Sequence, residues 1–367
     1  MDTAFLGVKE FHPDVVHLLY TPATNDVWQP FVAMLPDNVK AVPHLIPPYG
    51  IDEITAVCRR IKASLSEGDV LQYNITEGTK IAAASLIRVA YDFMDSTYYF
   101  TQEGDKIDLT TGMIRDIESS ISNEEFIRLF GNNLASYNTA AEILPVDVVT
   151  ARDVKLFIES RQRLFQKIQH QYRSQWGGRI EHLPDRFKVE REKNTEVIID
   201  GGALRILEGG KPLFYSDNQL ATRLFFTGRW WEVLVSDAVY RWDLARRSDA
   251  TSSQVWRNVE FNGPERGKTK NELDILVNDR RRLILIECKS GYIAQENIYK
   301  IESVRQTYGG EHSLGVLVSY YPLDESLVQK CRDLHLHYHA PARENDRITF
   351  LNTLPAFLDE VVKDIRQ

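Results

Sequence analysis

The sequence has few cysteines and no long apolar run. Its 367 residues include only Cys58, Cys288 and Cys331, which are far apart and lack the spacing of metal ligands. This excludes a disulfide framework and a zinc finger, and it is typical of a reducing compartment. No stretch approaches the roughly 18 apolar residues that a membrane span requires, and the first residues contain no signal-like apolar segment. We therefore expect a cytoplasmic protein without a membrane partner.

A strong net positive charge is also missing, and the charge is unevenly divided. The chain carries 44 Lys and Arg against 52 Asp and Glu. Residues 1–150 carry 10 basic and 21 acidic side chains, and the rest of the chain carries 34 and 31. Neither part is basic enough to indicate nucleic-acid binding from charge alone. The length and this change in charge predict at least two modules.

The first 150 residues alternate between strand-like and helix-like patterns. Residues 15–20 and 70–75 are short apolar runs, whereas 52–66 and 81–92 have apolar residues at helical spacing. Such alternation predicts an α/β fold with a parallel, Rossmann-like sheet.

The middle and last parts of the chain have different patterns. Residues 153–172 have the spacing of one long amphipathic helix, and 179–215 resemble a polar linker with a small β element. From about 217 onward the pattern predicts a helix over 220–238 and later a helix over 295–308. The strands predicted in this last part are 255–261, 272–277, 283–289 and 314–319.

The strands predicted at 272–277 and 283–289 carry the residues with the most chemistry. A charged turn between them favours an antiparallel hairpin. Since alternate side chains of a strand share a face, Glu287 and Lys289 point the same way. Asp274 then lies at a neighbouring strand position, and the three side chains converge.

Two carboxylates on apolar strands are costly unless a cation neutralises them. A hard divalent cation, Mg²⁺ or Mn²⁺, would bind Asp274 and Glu287, and the Cys288 carbonyl is a candidate for a further ligand. Lys289 would orient the attacking water or stabilise charge on a phosphate. The set suits hydrolysis of a phosphodiester, and the alternative is a surface hairpin with ion pairs.

Asp274, Glu287 and Lys289 form the D-x(n)-E-x-K pattern, which resembles the PD-(D/E)xK nuclease superfamily. The first half of the motif is Glu-Leu-Asp rather than Pro-Asp. The resemblance implies a restriction-endonuclease-like α/β domain and a metal-dependent endonuclease activity. It also implies that Glu232, on the preceding predicted helix, completes the catalytic set.

A second candidate site is the turn after the strand predicted at 70–75. A helix N-terminus offers free N–H groups to an anion, and Gly78 allows a close approach of the backbone. Thr76 and Thr79 add hydroxyls, and Lys80 adds a positive charge. An ordinary capped turn is an equally good interpretation of these residues.

The pattern N-x-T-x-G-T-K, from Asn74 to Lys80, resembles the loop of CARF domains. These domains bind cyclic oligoadenylates made by type III CRISPR complexes. A CARF domain followed by a PD-(D/E)xK domain, with Gly-x-Trp-x-Glu at 228–232, resembles one family of CRISPR ancillary effectors. The resemblance implies a sensor over 1–150, a helical linker with a small β element over 151–216, and a nuclease over 217–367.

This resemblance also implies a ligand, a partner and an activity. The activator would be a cyclic oligoadenylate, with cyclic tetra-adenylate as the expected ring size, bound across a homodimer. The ligand-binding residues would be Asn74, Thr76, Glu77, Gly78, Thr79, Lys80 and Thr21. The activity would be activated cleavage of single-stranded DNA or RNA, or nicking of DNA, in antiviral defence.

Two departures from the family pattern lie in the sensor. The family usually has Gly where this chain has Glu77, so this carboxylate either repels a phosphate or bonds a ribose or an adenine edge. The family also begins with a strand, whereas residues 3–11 resemble the end of a helix.

Two other functions are compatible with the sequence. One is a restriction- or repair-type DNA nuclease with an unrelated regulatory front domain. The other is a non-catalytic ligand-sensing regulator, which the complete Asp274, Glu287 and Lys289 set disfavours.

Overall fold

The computed structural model describes residues 2–25, 28–101, 104–192, 194–247, 253–262, 269–280, 282–310, 312–341 and 350–363. It is a mixed α/β protein, as the sequence predicts.

Helices and strands alternate over the first 116 residues. The helices are α1 (Asp2–Phe11), α2 (Trp28–Val32), α3 (Ile51–Ala63) and α4 (Lys80–Phe93). The strands are β1 (Val15–Tyr20), β2 (Lys40–Leu45), β3 (Gln72–Asn74), β4 (Ser96–Phe100), β5 (Asp105–Asp108) and β6 (Met113–Asp116). Strand β1 is parallel to β2, and β3 is parallel to β4, as the Rossmann-like prediction requires. Within the described residues, however, these strands form two separate hydrogen-bonded sheets, β1-β2 and β3-β4-β5-β6.

The middle of the chain is more regular than the linker predicted over 179–215. Its helices are α5 (Asn123–Leu129), α6 (Pro145–Ser160) and α7 (Gln162–Trp176), and its strands are β7 (Leu134–Thr139), β8 (Arg186–Lys188), β9 (Thr195–Asp200), β10 (Ala203–Glu208) and β11 (Lys211–Ser216). Strands β8 to β11 form a four-stranded antiparallel sheet. Every second side chain of this sheet faces the core, and the polar residues between them made the segment resemble a linker.

The single helix predicted over 153–172 is wrong, because Arg161 separates α6 from α7. Arg161 has φ −135° and ψ 38°, outside the helical region. One residue earlier, the Ser160 hydroxyl donates a hydrogen bond to the Leu156 carbonyl at 2.7 Å. Such a bond occupies a helix carbonyl and favours a bend.

The last part of the chain contains the predicted strands 255–261, 272–277, 283–289 and 314–319. Its helices are α8 (Ala221–Thr227), α9 (Arg229–Ala245), α10 (Gln295–Val304), α11 (Glu325–Asp333) and α12 (Phe350–Lys363). Its strands are β12 (Val255–Asn262), β13 (Thr269–Asn278), β14 (Leu283–Lys289), β15 (Leu314–Ser319) and β16 (Leu336–His339). The helix predicted over 220–238 is two helices, because Gly228 between α8 and α9 has φ +80°.

One six-stranded sheet organises this region, in the order β16-β15-β14-β13-β12-β7. Its edge strand β7 comes from residues 134–139, which the sequence places in the sensor. The sheet therefore crosses the predicted boundary at residue 150.

The six-stranded sheet is covered on both faces. One face packs in a large apolar cluster with α6, α7, α8, α9, α12 and the four-stranded sheet. The other face packs with side chains of α1, α2 and α5, among them Phe5, Val8, Phe31 and Phe126. Among the described helices, none is long and apolar enough to cross a membrane.

Candidate active site and ligand loop

The candidate active site lies where strands β13 and β14 separate. Their antiparallel pairing runs from Asn278 opposite Leu283 to Ile275 opposite Ile286. Beyond that pair, β14 continues beside β15 and β13 continues beside β12. Asp274 and Glu287 are the next residues on the two strands, so they stand at the opening of a fork.

At the opening of the fork, a hydrogen bond from backbone to side chain replaces the next backbone hydrogen bond between the two strands. The Cys288 N–H donates to Oδ2 of Asp274 at 2.6 Å. The N–H and C=O of one strand residue point to the same side, so the Cys288 carbonyl also faces the fork. The Cys288 side chain lies on the face of the sheet that packs in the large apolar cluster, and it is buried there.

Lys289 completes the predicted triad. Its Nζ donates to Oε1 of Glu287 at 2.5 Å. The Glu287 side chain is 6% exposed and that of Lys289 is 28% exposed. The structure therefore brings Asp274, Glu287 and Lys289 together at the end of one strand pair.

Burial and like charge make this an electrostatically strained site. Burial raises the pKa of Asp274 well above its ordinary value, and the nearby Glu287 and Glu232 raise it further. Burial alone would lower the pKa of Lys289, but Glu287 and Asp274 outweigh it and raise that pKa. Buried carboxylates that disfavour ionisation are typical of sites whose charge a ligand neutralises.

Glu232 belongs to the same electrostatic cluster. It lies in the first turn of α9. Burial raises its pKa, against the nearby charges of Arg229 and Lys289. Gly228 sets the start of this helix: its φ is +80°, and a Cβ there would lie 2.5 Å from the Ser290 hydroxyl oxygen. A side chain at 228 would therefore require the Ser290 hydroxyl to turn away and would hold a strained left-handed backbone conformation.

The cleft also contains side chains that the sequence did not predict. It has a volume of about 270 Å³ and is lined by Thr227, Arg229, Glu232, Glu272, Asp274, Glu287, Lys289 and Lys300. Lys300 comes from α10, and its Nζ lies 3.9 Å from Oε1 of Glu287. Glu272 had a signal in the sequence, because it shares a strand face with Asp274. No local pattern marks Thr227, Arg229 or Lys300 as cleft residues.

The donors suit a hard divalent cation by their chemistry. Carboxylate and carbonyl oxygens are the ligands that Mg²⁺ and Mn²⁺ prefer. Desolvation and two neighbouring carboxylates raise the pKa of Asp274, and a bound cation would offset both effects. In the part of the chain that the structure describes, no group of three or more His, Cys, Asp or Glu side chains is arranged to hold a metal ion. Lys289 and Lys300 are the cations that face Glu287.

The predicted ligand loop lies between β3 and α4, as expected. Gly78 has φ +95°, a conformation that only glycine adopts without strain. Thr79 caps α4: its hydroxyl accepts the Ala82 N–H at 3.1 Å and donates to the Pro48 carbonyl at 3.0 Å. Lys80 is exposed in the first turn of the helix.

Most other polar side chains of the loop are engaged inside the protein. The Asn74 side-chain oxygen accepts the Thr76 N–H, and its amide donates to the Thr3 carbonyl. The Thr76 hydroxyl accepts the Phe100 N–H at 2.9 Å. Glu77 accepts from both the N–H and the hydroxyl of Thr3, at 3.1 and 2.6 Å.

The contacts of Glu77 show what this carboxylate does at a position where the family usually has glycine. Its carboxylate faces helix α1, at residues 2–11, rather than an empty anion site. The prediction that 3–11 is helical is confirmed, since α1 spans Asp2–Phe11.

Thr21 lies at the same edge as the loop. It follows β1, whose carboxyl end is beside that of β2 because the strands are parallel. Pro48, just after β2, bonds Thr79. Ligands bind at the carboxyl ends of strands in open α/β sheets, so this edge is the expected place for one.

The family comparison concerns the part of the chain that contains the cleft. Residues 218–348 match the family model of the Card1-like endonuclease domain, which is roughly a third of the chain. All the cleft-lining residues lie within that match. Among curated proteins, none matches this chain.

Solved structures resemble the chain along almost its whole length. Can2 from Sulfobacillus thermosulfidooxidans, solved in complex with cyclic tetra-adenylate, is 19% identical with a TM-score of 0.65; the match covers 98% of this chain and 96% of that one. Protein VC1899 from Vibrio cholerae is 16% identical with a TM-score of 0.71, covering 100% and 95%.

A third structure matches over a shorter share of its length. It is a type III CRISPR defence DNA nuclease activated by cyclic oligoadenylate, 15% identical with a TM-score of 0.58. The match covers 98% of this chain but 50% of that chain. At these identities the comparisons show a shared fold. The predicted resemblance to CARF-plus-nuclease effectors is thus confirmed for the fold and for the endonuclease domain.

Proposed function

We propose that the chain is a metal-dependent endonuclease that a cyclic oligoadenylate switches on, acting as an ancillary effector of type III CRISPR defence. The observation that carries the proposal is the fork between β13 and β14. It gathers Asp274, Glu287 and Lys289 in one cleft, within the segment that matches the Card1-like endonuclease domain.

The residues of the cleft have distinct roles in this proposal. Asp274 and Glu287 hold the divalent cation, with the Cys288 carbonyl as a further ligand and Glu232 beside them. When bound, the cation would polarise the scissile phosphate and supply an activated water. Lys289, fixed on Glu287, stabilises the negative charge that develops on the phosphate.

The additional cations in the cleft suit a polyanionic substrate. Arg229 and Lys300 both line it, and the Lys300 side chain is 49% exposed. Contacts from such side chains to phosphates fix the position of a strand without reading its sequence. The resemblance to the CRISPR effectors narrows this to the proposed substrate, which is single-stranded DNA or RNA, or a DNA strand that is nicked.

The sensor would be the carboxyl edge formed by 74–80 and Thr21. Here the activator phosphates meet Lys80 and the N-terminus of α4. The Can2 structure contains cyclic tetra-adenylate, which supports that ring as the activator of this chain. A two-fold ring bound by two copies of one loop requires a homodimer.

The proposal keeps a sensor at 1–150 and a nuclease at 217–367, although β7 joins the nuclease sheet. The residues between them, 151–216, supply α7 and the four-stranded sheet of the common core.

The test is a binding and cleavage series on the whole chain. Calorimetry with cyclic tri-, tetra- and hexa-adenylate measures which ring binds. Cleavage of a labelled oligonucleotide is then followed with and without that ring and Mn²⁺. We expect cleavage only when both are present. Cleavage at the same rate without any ring would contradict the proposed sensor role. Absence of cleavage with each of the rings in the presence of Mn²⁺ would contradict the proposed nuclease activity.

A further inference from the structure

The first inference concerns Tyr292, an aromatic side chain beside the cleft that has no role in the proposed chemistry. It is 93% exposed, although tyrosine rings usually bury much of their apolar surface. It lies three residues after Lys289, in the connection between β14 and α10. What distinguishes this ring is its place: the connection directly follows a strand that carries cleft residues, and binding residues are commonly found on such loops.

The connection that carries Tyr292 is held on both sides of this residue. Ser290 contacts Gly228, which stands between the cleft residues Thr227 and Arg229. On its other side Ile293 is 4% exposed and anchors the connection in a small apolar cluster. Tyr292 therefore lies in the connection between β14 and α10, the two elements that bring Lys289 and Lys300 into the cleft.

We propose that Tyr292 stacks on an unpaired base of the substrate, next to the scissile phosphate. This assignment rests on the proposed nuclease function. Every base has a π face, so stacking favours single strands over duplexes without selecting a sequence. Because a paired base is already stacked within its duplex, the contact would make the enzyme specific for unpaired nucleotides.

Binding is measured by fluorescence anisotropy in the Glu287→Gln background, which keeps the substrate intact. Saturating activator and Mn²⁺ are present, and a single strand is compared with its duplex. We expect Tyr292→Ala to weaken single-strand binding about five- to 150-fold, the range measured for one stacked base. Tyr292→Phe should retain binding, because the ring remains. Tyr215→Ala is the matched control, since Tyr215 is 54% exposed on β11 and does not line the cleft.

The outcomes separate this assignment from the proposed function. Unchanged single-strand binding in Tyr292→Ala, or an equal loss on single strand and duplex, would overturn base stacking while leaving the nuclease in place. If the Glu287→Gln protein that retains Tyr292 binds no nucleic acid even with activator, both the base-stacking assignment and the proposed function are wrong.

A second, independent observation concerns helix α1, which bonds the ligand loop and packs in the apolar cluster on one face of the six-stranded sheet. At its start, Thr3 is bonded to Glu77 and Asn74 of the ligand loop. Further along, Phe5 and Val8 are 4% and 5% exposed and belong to the cluster that covers the six-stranded sheet.

The same cluster contains the neighbours of the catalytic residues. Leu273 and Leu276 flank Asp274 on β13, and Leu285 stands two residues before Glu287 on β14. The helix is also tied to β5 by the ion pair of Glu10 with Lys106 at 2.7 Å. Helix α1 is thus bonded to the ligand loop and shares one apolar cluster with the strands that carry Asp274 and Glu287.

We infer that α1 transmits activator binding from the loop to the fork, with the Thr3–Glu77 contact as the junction. This inference also rests on the proposed function, since it needs an activator. A displacement of Glu77 would be passed to Thr3 and along the helix to the strands of the fork. Coupling of this kind requires that both sites bias one shared element.

The test separates activator binding from activation. Thr3→Ala removes the hydroxyl that bonds Glu77, and one hydrogen bond corresponds to about a fivefold change in an equilibrium. We expect the ratio of cleavage rates with and without saturating activator to fall about fivefold. The activator dissociation constant should change much less. Lys62→Ala is the control, because the Lys62–Asp95 ion pair is within the first module and away from α1.

A second variant guards against an effect on folding. Glu77→Ala removes the acceptor of both bonds and should lower the activation ratio further, with thermal unfolding monitored in parallel. An unchanged ratio in both variants would overturn the route through α1. A loss of activator affinity as large as the loss of activation would also overturn it, since Glu77 and Thr3 would then act as ligand contacts. If the unmutated chain binds no activator, the proposed sensor is wrong and the route with it.

Discussion

The N–H of Cys288 donates to Oδ2 of Asp274 at 2.6 Å, where β13 and β14 separate. This bond joins the carboxylate of one strand to the backbone of the other, between the proposed catalytic residues Glu287 and Lys289. It orients the Asp274 side chain before any substrate arrives. Desolvation of this carboxyl and the nearby charges of Glu287 and Glu232 raise the pKa of Asp274 well above the ordinary value.

A first prediction concerns stability without metal. The unfolded Asp274 carboxyl ionises near pH 4, and the folded one ionises at higher pH. The folded protein therefore loses stability as pH rises between the two values. Asp274→Asn removes this loss and can still accept the Cys288 N–H.

We expect Asp274→Asn to be more stable than the unmutated chain in EDTA, by on the order of 1 kcal/mol per unit of pKa shift removed. The gain should grow as pH rises from about 4 and then level off. Urea unfolding at several pH values measures it, with Asp153→Asn on the exposed side of α6 as the control. A gain that shrinks with rising pH would contradict the raised pKa.

A second prediction concerns Lys289. Its ammonium bonds Glu287 but is not a metal ligand, so Lys289→Ala should leave metal affinity nearly unchanged. The single-turnover rate should fall about 100- to 1,000-fold, as when one preorganised charge donor is removed. Calorimetry with Mn²⁺ in the absence of substrate provides the second readout. An equal loss of metal affinity and rate would assign Lys289 to the metal site instead.

A third prediction distinguishes Lys300 from other surface lysines. Lys300→Gln should raise KM and lower the slope of log affinity against log salt by about 0.7 for a single strand, or about 0.9 for a duplex. Lys330→Gln is the control, since that ammonium lies over the Tyr299 ring, 5.1 Å from its centre, and does not line the cleft. Equal salt slopes in the two variants would remove Lys300 from the substrate path.

A fourth prediction concerns the sensor. Lys80 is exposed at the start of α4, and one charge-assisted bond to a phosphate is worth about 1.5–3 kcal/mol. Lys80→Ala should therefore weaken cyclic tetra-adenylate binding about ten- to 100-fold, with a similar cleavage rate at saturation. Arg88→Ala, exposed further along the same helix, should bind normally. Unchanged binding in Lys80→Ala would place the ligand elsewhere.

Strands β13 and β14, which carry the proposed catalytic residues, could be predicted because their signal is local. A charged turn between two apolar runs defines the hairpin, and the spacing of Asp274, Glu287 and Lys289 follows from strand alternation. The same holds for Thr79 and Lys80, which follow a strand and begin a helix.

What the sequence did not predict depends on contacts between distant residues. Glu77 is neighbour to Thr3 across 74 positions, so its role as a partner of α1 has no local pattern. Arg229 and Lys300 line the cleft from two different helices, α9 and α10. The break at Arg161 interrupts a helical spacing that continues on both sides of it, so periodicity alone merges α6 and α7.

In the proposed function, one cleft cleaves nucleic acid only when a cyclic oligoadenylate is bound. The most direct measurement compares the unmutated chain with Glu287→Gln, each with and without cyclic tetra-adenylate, on a labelled single strand in Mn²⁺. We expect cleavage only by the unmutated chain with the activator, while Glu287→Gln binds the activator with the same affinity but leaves the strand intact. Cleavage by Glu287→Gln at the unmutated rate, or full cleavage without activator, would contradict the account.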